Sequence, residues 1–267
     1  MRTNPMPDTH GYIFADEHDR SAERFRALSE LYDASTTGYI ERLGLARGCA
    51  CLEIGAGGGS IARWLAALVS PGRVVATDRD MPAFDVSGRA NLELLRHDIA
   101  AESLPAATFD FVHARLVLMH LPQPELAVAR IVRALRPGGW VLLEEFDVPP
   151  LTSEAALDAG STTLRTSAAF RAAMERSGVD MQCGRRLPGM MRAHRLVSIG
   201  GEGRMSLWIG RSAGAHLMRS NYVGLKERMI DDGLIHAGDF DADLARLDDP
   251  EFAAVSPTMW SVWGRLP

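Results

Sequence analysis

Ten consecutive residues, Cys51-Leu-Glu-Ile-Gly-Ala-Gly-Gly-Gly-Ser60, narrow the possible folds more than any other stretch of this chain. An apolar run holding one acid stops at a cluster of glycines, and Ile61-Ala-Arg-Trp-Leu-Ala-Ala-Leu68 then has the character of a helix. The order is strand, tight turn, helix. Glycine tolerates positive φ and lets a ligand approach the backbone closely. The helix start beyond it presents unpaired N–H groups. A turn of this kind suits a nucleotide-like cofactor.

The surrounding pattern alternates. Apolar residues at helical spacing, Phe25, Leu28, Leu31 and Tyr32, predict an amphipathic helix over 19–32, ahead of the turn. Strands are expected at 49–54, 73–78, 92–95, 109–113 and 140–144, with helices at 61–69 and 126–135 between them. Strands alternating with helices imply an α/β, doubly wound, mostly parallel sheet, and ligands of such sheets lie beyond the carboxyl ends of the strands. Gly55–Gly59, Asp78, Asp98, Ala114, Arg115 and Glu145–Asp147 all fall at those ends. After Asp147 the rhythm changes. Helices are expected at 155–177, 187–196 and 215–230. Strand pieces are expected at 196–199 and 205–209 around Gly200-Gly201, and a last strand at 257–264 finishing the sheet's edge. We divide the chain into a helical lid (1–48), a cofactor-binding core (49–147) and a remainder (148–267) that completes the sheet and adds helical insertions over the acceptor.

Composition sets the outer limits. The 267 residues are 46% hydrophobic and 24% charged, which is ordinary for a soluble globular chain. The net charge of −5 and the lack of a basic run with interleaved aromatics argue against nucleic-acid binding. No apolar stretch reaches membrane-spanning length, and the first residues lack the charged-then-apolar pattern of a secretory signal. Cys49, Cys51 and Cys183 form no disulfide framework and suit a reducing cytoplasm. Cys49-Ala-Cys51 has no second Cys or His pair at ligand spacing, so no metal is expected. Nothing in the sequence excludes a homodimer.

Which cofactor the turn takes is decided by charge. Gly55-Ala-Gly57-Gly-Gly59-Ser60 has serine where a dinucleotide fingerprint places its third glycine. Glu53 weighs more, because a carboxylate beside a doubly anionic pyrophosphate is repelled. The same carboxylate favours a ligand carrying a positive charge, directly or through water. S-adenosylmethionine has a sulfonium and an ammonium and no phosphate.

Here the chain resembles the class I S-adenosylmethionine-dependent methyltransferases, of the kind found in bacterial natural-product and quinone pathways. The resemblance rests on five ordered segments over residues 49–147: Glu53-Ile-Gly55-Ala56-Gly57-Gly-Gly59; Asp78; Arg96-His97-Asp98-Ile99; the run Phe109 to Pro122; and Leu135-Arg-Pro-Gly-Gly-Trp-Val-Leu142. It implies a seven-stranded Rossmann-like sheet. It also implies that Asp78 accepts the ribose hydroxyls, or else caps a helix. Asp98 and the Ile99 backbone would read the adenine, with Ile99 on one ring face and Arg79 on the other, and His97 alongside; Asp98 could equally be a turn acid. Ala114 and Arg115 would sit by the methionine moiety, where Arg115 either pairs with its carboxylate or makes a structural ion pair. Tyr12, Phe14 and Arg24 would belong to an N-terminal lid.

Methyl transfer is an in-line displacement, and much of its rate comes from holding the nucleophile in place. His120 is the first candidate for a base, with a pKa suited to neutral pH; its alternative is a capping or core histidine beside Leu121-Pro122. Glu145 and Asp147 leave strand five on the acceptor side, to bind or deprotonate an acceptor or to cap the next helix. His113 is expected to point into a helix layer. Residues 148–267 hold eight of the twelve methionines and three of the five tryptophans, which suits an apolar, aromatic-sized acceptor as well as it suits ordinary core packing. Tyr222-Val-Gly-Leu-Lys226 spells a short-chain dehydrogenase pair but lies outside the alternating core. The expected reaction moves a methyl group to a small organic molecule, oxygen before nitrogen or carbon, in secondary metabolism. The alternative is a cofactor-binding protein of the same fold that catalyses a rearrangement or only binds.

Overall fold

A computed structural model describes residues 18–80, 84–148 and 165–267. It begins with α1 (His18–Arg42), ten residues longer at its end than the apolar spacing predicts. Then come β1 (Cys51–Ile54), α2 (Ser60–Val69), β2 (Val74–Asp78), β3 (Leu92–Arg96) and β4 (Phe109–Arg115). A single 3₁₀ turn at Leu118–His120 leads to α3 (Pro124–Ala134) and β5 (Leu135–Asp147). The rest holds α4 (Arg165–Arg176), α5 (Cys183–Ala193), β6 (Val197–Arg204), β7 (Leu207–Ile209), α6 (Ala213–Gly224), α7 (Lys226–Asp231), α8 (Ala237–Arg246), β8 (Ala253–Val255) and β9 (Thr258–Arg265).

Seven strands form one sheet in the order β3-β2-β1-β4-β5-β9-β6. The first five are mutually parallel, and β9 runs antiparallel to both β5 and β6. β1, central among the five parallel strands, is buried at all four positions, as a strand covered on both faces must be. The chain order reverses across β1 and β4, which puts the ligand crevice at their carboxyl ends.

Apolar side chains gather on both sheet faces. One cluster includes Leu52, Ile54, Val112, Val141 and Leu143 with α3 and α5. The other includes Cys51, Ala76, Phe111 and Leu142 with α2. Helix α1 enters both, through Ala27, Leu28 and Tyr32 in the first and Tyr39 and Ile40 in the second.

Several expectations are corrected in the second half. The last strand, β9, is not the sheet's edge; it lies between β5 and β6, and β6 is the edge. β6 passes straight through Gly200-Gly201, because antiparallel pairing to β9 supplies what the glycines' own preference does not. β7 leaves the main sheet and pairs with β8. The helix expected at 215–230 breaks at Leu225 into α6 and α7. α8 was not expected at all. β5 starts at Leu135, ahead of the strand expected at 140–144. Among the described residues no helix is long and apolar enough to cross a membrane.

Candidate active site

Gly55, Gly57 and Gly59 have φ of 68°, 50° and 71°, which is why the turn after β1 needs glycine at alternate positions. The turn is closely covered. A Cβ on Gly55 would lie 2.3 Å from Val117 Cγ2, and one on Gly57 2.8 Å from Phe25 Cε1. The Ala56 N–H donates to the Thr77 carbonyl at 3.0 Å, fastening the turn to β2. Asp78 closes it from the other side: its Oδ2 accepts the Gly57 N–H at 3.0 Å and its Oδ1 the Asp80 N–H at 3.3 Å. Burial raises the Asp78 carboxyl above its usual range, against the pull of these N–H groups.

Along the rim, Asp98 Oδ1 accepts the Ala100 N–H at 2.8 Å and so caps a turn. Ile99 is buried, and its carbonyl accepts from Arg130 at 3.0 Å. Both ring nitrogens of His97 are shielded from solvent with no hydrogen-bond partner among the described residues. Arg79 pairs with Asp80 at 3.1 Å. Tyr12 and Phe14 lie outside the described residues, while the Arg24 guanidinium stacks 5.2 Å from the Phe25 ring centre.

Beneath the turn lies a buried polar chain. Glu53, His113 and Glu144 stand on three adjacent strands and point to the face under α1. His113 Nδ1 meets Glu53 Oε2 at 2.7 Å, and Nε2 meets Glu144 Oε2 at 3.0 Å. Ionised carboxylates only accept hydrogen bonds, so a ring held between two of them donates from both nitrogens and is an imidazolium. Burial opposes that charge, but the flanking carboxylates outweigh it and lift His113 to about 9. Burial also opposes the charge on Glu144, and His113 and Arg115 hold it below its usual range regardless. Glu144 further accepts from Thr36 at 2.6 Å and from Ser261 at 2.5 Å. Arg115 donates to Thr36 at 3.0 Å and to Asp33 at 2.8 Å. Arg115 is thus ion-paired with α1, one of the two roles expected for it. Ala114, its neighbour, is fully buried.

Glu145 faces the other way. Its Oε1 accepts the N–H groups of Val117 at 2.8 Å and Leu118 at 2.6 Å, and Oε2 that of Met119 at 3.4 Å. It caps the turn after β4, not the helix after β5, and its oxygens are not offered to an acceptor. Burial pushes it up to about 8. The same turn begins at Leu116, a non-glycine residue at φ 56°, a conformation that concentrates at functional sites. Asp147 accepts from Arg185 at 2.8 Å through Oδ2, while Oδ1 is buried without a partner among the described residues. His120 follows the clipped turn. Burial, then Arg24 and Arg79, push it down to about 3, so it stays neutral. This is far below the near-neutral base expected from sequence. Tyr222 bonds Ser167 at 2.7 Å and Lys226 bonds Asp241 at 2.7 Å, so the dehydrogenase-like pair shares no site. Among the described residues no group of His, Cys, Asp or Glu gathers to hold a metal.

Sequence reasoning missed the polar side of α1. Phe25, Ser29, Asp33 and Thr36 recur at three- and four-residue spacing and all meet the turn or the buried chain; Ser29 reaches Ser60 at 3.0 Å. The signal was present in that spacing.

Residues 52–143 match the family described as a methyltransferase domain. Methyltransferase str2 of Strobilurus tenacellus is 33% identical over 152 residues, covering 55% of this chain and 53% of that protein. The ubiquinone/menaquinone biosynthesis C-methyltransferase UbiE of Stutzerimonas stutzeri is 30% identical over 169 residues, covering 54% and 66%. The phosphoethanolamine N-methyltransferase 2 of Haemonchus contortus, solved in complex with S-adenosyl-L-methionine, shares the fold with a TM-score of 0.61 at 14% identity, covering 98% of this chain and 60% of that one. The chain spans about half the length of the first curated relatives it matches. These findings liken residues 52–143 to a methyltransferase domain and show its fold, and the site offers an acid beside the glycine turn and a second acid ending β2, which suit S-adenosylmethionine.

Proposed function

We propose that this protein transfers a methyl group from S-adenosylmethionine to the oxygen of a small, largely apolar organic acceptor in secondary metabolism, in the cytoplasm. The observation that carries the reading is the buried Glu53 at the end of β1, beside the glycine turn and hydrogen-bonded to His113. Bound there, S-adenosylmethionine supplies a methyl group activated by a sulfonium. Glu53 would face its positive charge, Asp78 its ribose hydroxyls, and His97, Asp98 and Ile99 its adenine. The turn held by Glu145 would set Val117 and His120 over the cofactor rim.

His120 is buried and stays neutral, with the Arg24 and Arg79 charges further opposing its protonation, which makes it a weak base. That favours an acceptor whose oxygen ionises readily, such as a phenol or enol, over an aliphatic alcohol. Asp147, with one unpartnered buried oxygen, would take a hydrogen-bond donor on that acceptor. The test uses methyl-labelled cofactor with panels of phenols, enols and aliphatic alcohols. Label should appear on the acidic hydroxyls. Cofactor recovered intact with every acceptor would support the non-methylating alternative, and Asp78→Ala with unchanged adenosylhomocysteine affinity in calorimetry would remove the ribose assignment.

A further inference from the structure

Glu53 keeps only 5% of its side chain exposed, and a carboxyl at that depth needs a hydrogen-bond partner. Its partner is the histidine beside it on the next strand. Glu53 and His113 are register partners between β1 and β4, and the 2.7 Å bond uses Oε2 alone. The strand register thus fixes one oxygen of an acid that stands two residues before Gly55, where the glycine turn begins.

His113 is itself held from behind. Glu144 takes its second N–H at 3.0 Å, and Glu144 is fixed by Ser261 from β9 and Thr36 from α1. Thr36 leads to Arg115, and Arg115 to Asp33, one turn back along α1. Every link is between 2.5 and 3.0 Å. The chain runs from the cofactor turn, across the buried sheet, to the helix that covers that turn.

We propose that His113 is a positioning residue for cofactor binding, holding Glu53 oriented toward the cofactor's positive end and tying that orientation to helix α1. The inference rests on the cofactor reading given above. Without His113, Glu53 would lose its hydrogen-bond partner and turn away, and its attraction for the cofactor would go with it. The effect therefore passes through Glu53.

The experiment is a double-mutant cycle on the full chain, read as adenosylhomocysteine Kd by calorimetry with Tm recorded in parallel. Glu53→Gln is expected to weaken binding at least tenfold, and His113→Gln five- to tenfold. The double variant should bind no worse than Glu53→Gln alone. Should His113→Gln fail to fold, Thr36→Val, which cuts the chain at α1 with little change of volume, is expected to weaken binding two- to fivefold. Losses that multiply in the double variant overturn the proposal, as does wild-type affinity in His113→Gln or Thr36→Val despite a lowered Tm. Wild-type affinity in Glu53→Gln overturns instead the cofactor reading beneath it, so the two failures are distinct.

Discussion

Glu144 and Glu145 are neighbours on β5, both sealed from solvent, and strand alternation sends them to opposite faces of the sheet. Glu144 meets an imidazolium and two hydroxyls and stays below the usual carboxylate range. Glu145 meets three backbone N–H groups and rises to about 8. Depth is the same, so depth does not decide ionisation; the charge of the partner does. Consequently one face carries a fixed ionic chain beneath the cofactor turn, and the other a carboxyl that clips the loop after β4.

Replacing the two acids one at a time should separate the faces most sharply. Glu144→Gln leaves the His113 charge half-compensated in a dry site, and should cost about 3–5 kcal/mol in urea denaturation. Glu145→Gln swaps one acceptor oxygen for a donor against the same N–H groups, and should cost about 1–3 kcal/mol. Equal losses would break the comparison.

The pH dependence comes next in size. The contribution of His113 is whole below its unfolded value of 6.5 and is lost as pH rises through about 9. Glu145, also raised, contributes fully below 4.5 and loses it as pH rises through about 8. His120 runs the opposite way: its contribution is present above 6.5 and is lost as pH falls toward 3. Thus the stability gap between wild type and His113→Gln should shrink across pH 6.5–9, and that between wild type and Glu145→Gln across pH 4.5–8. A gap that stays constant with pH refutes the corresponding assignment.

The smallest effects belong to the links that reach α1. Asp33 is a quarter exposed, so Asp33→Ala should cost under about 1 kcal/mol despite its bond to Arg115. Ser29→Ala should cost about as little. Both should nonetheless speed amide exchange in α1, and protection equal to wild type would show the latch to be slack.

The first half of the fold was legible because its signals are local. Glycines at 55, 57 and 59 and the apolar strands mark themselves without reference to distant residues. β6 was not, since Gly200-Gly201-Glu202-Gly203 carries no strand pattern and exists only by pairing with β9. The interior position of β9 is likewise a property of sheet order, which periodicity along one strand does not encode. The site divides in the same way. The placement of Glu53 and Asp78 follows from their distance to the turn. That His113 would join Glu53 to Glu144 depends on β4 lying between β1 and β5 in one particular register. That Glu145 would cap the turn after β4 depends on the same neighbours.

Helix α1 is anchored at Asp33 and Thr36, and nearer its start the Phe25 ring lies across Gly57 and Gly58. Any molecule arriving at those glycines meets the phenyl group first. Trimming the obstacle by Phe25→Ala should quicken adenosylhomocysteine association in stopped-flow traces, whereas an unaltered rate would mean the doorway already stands open.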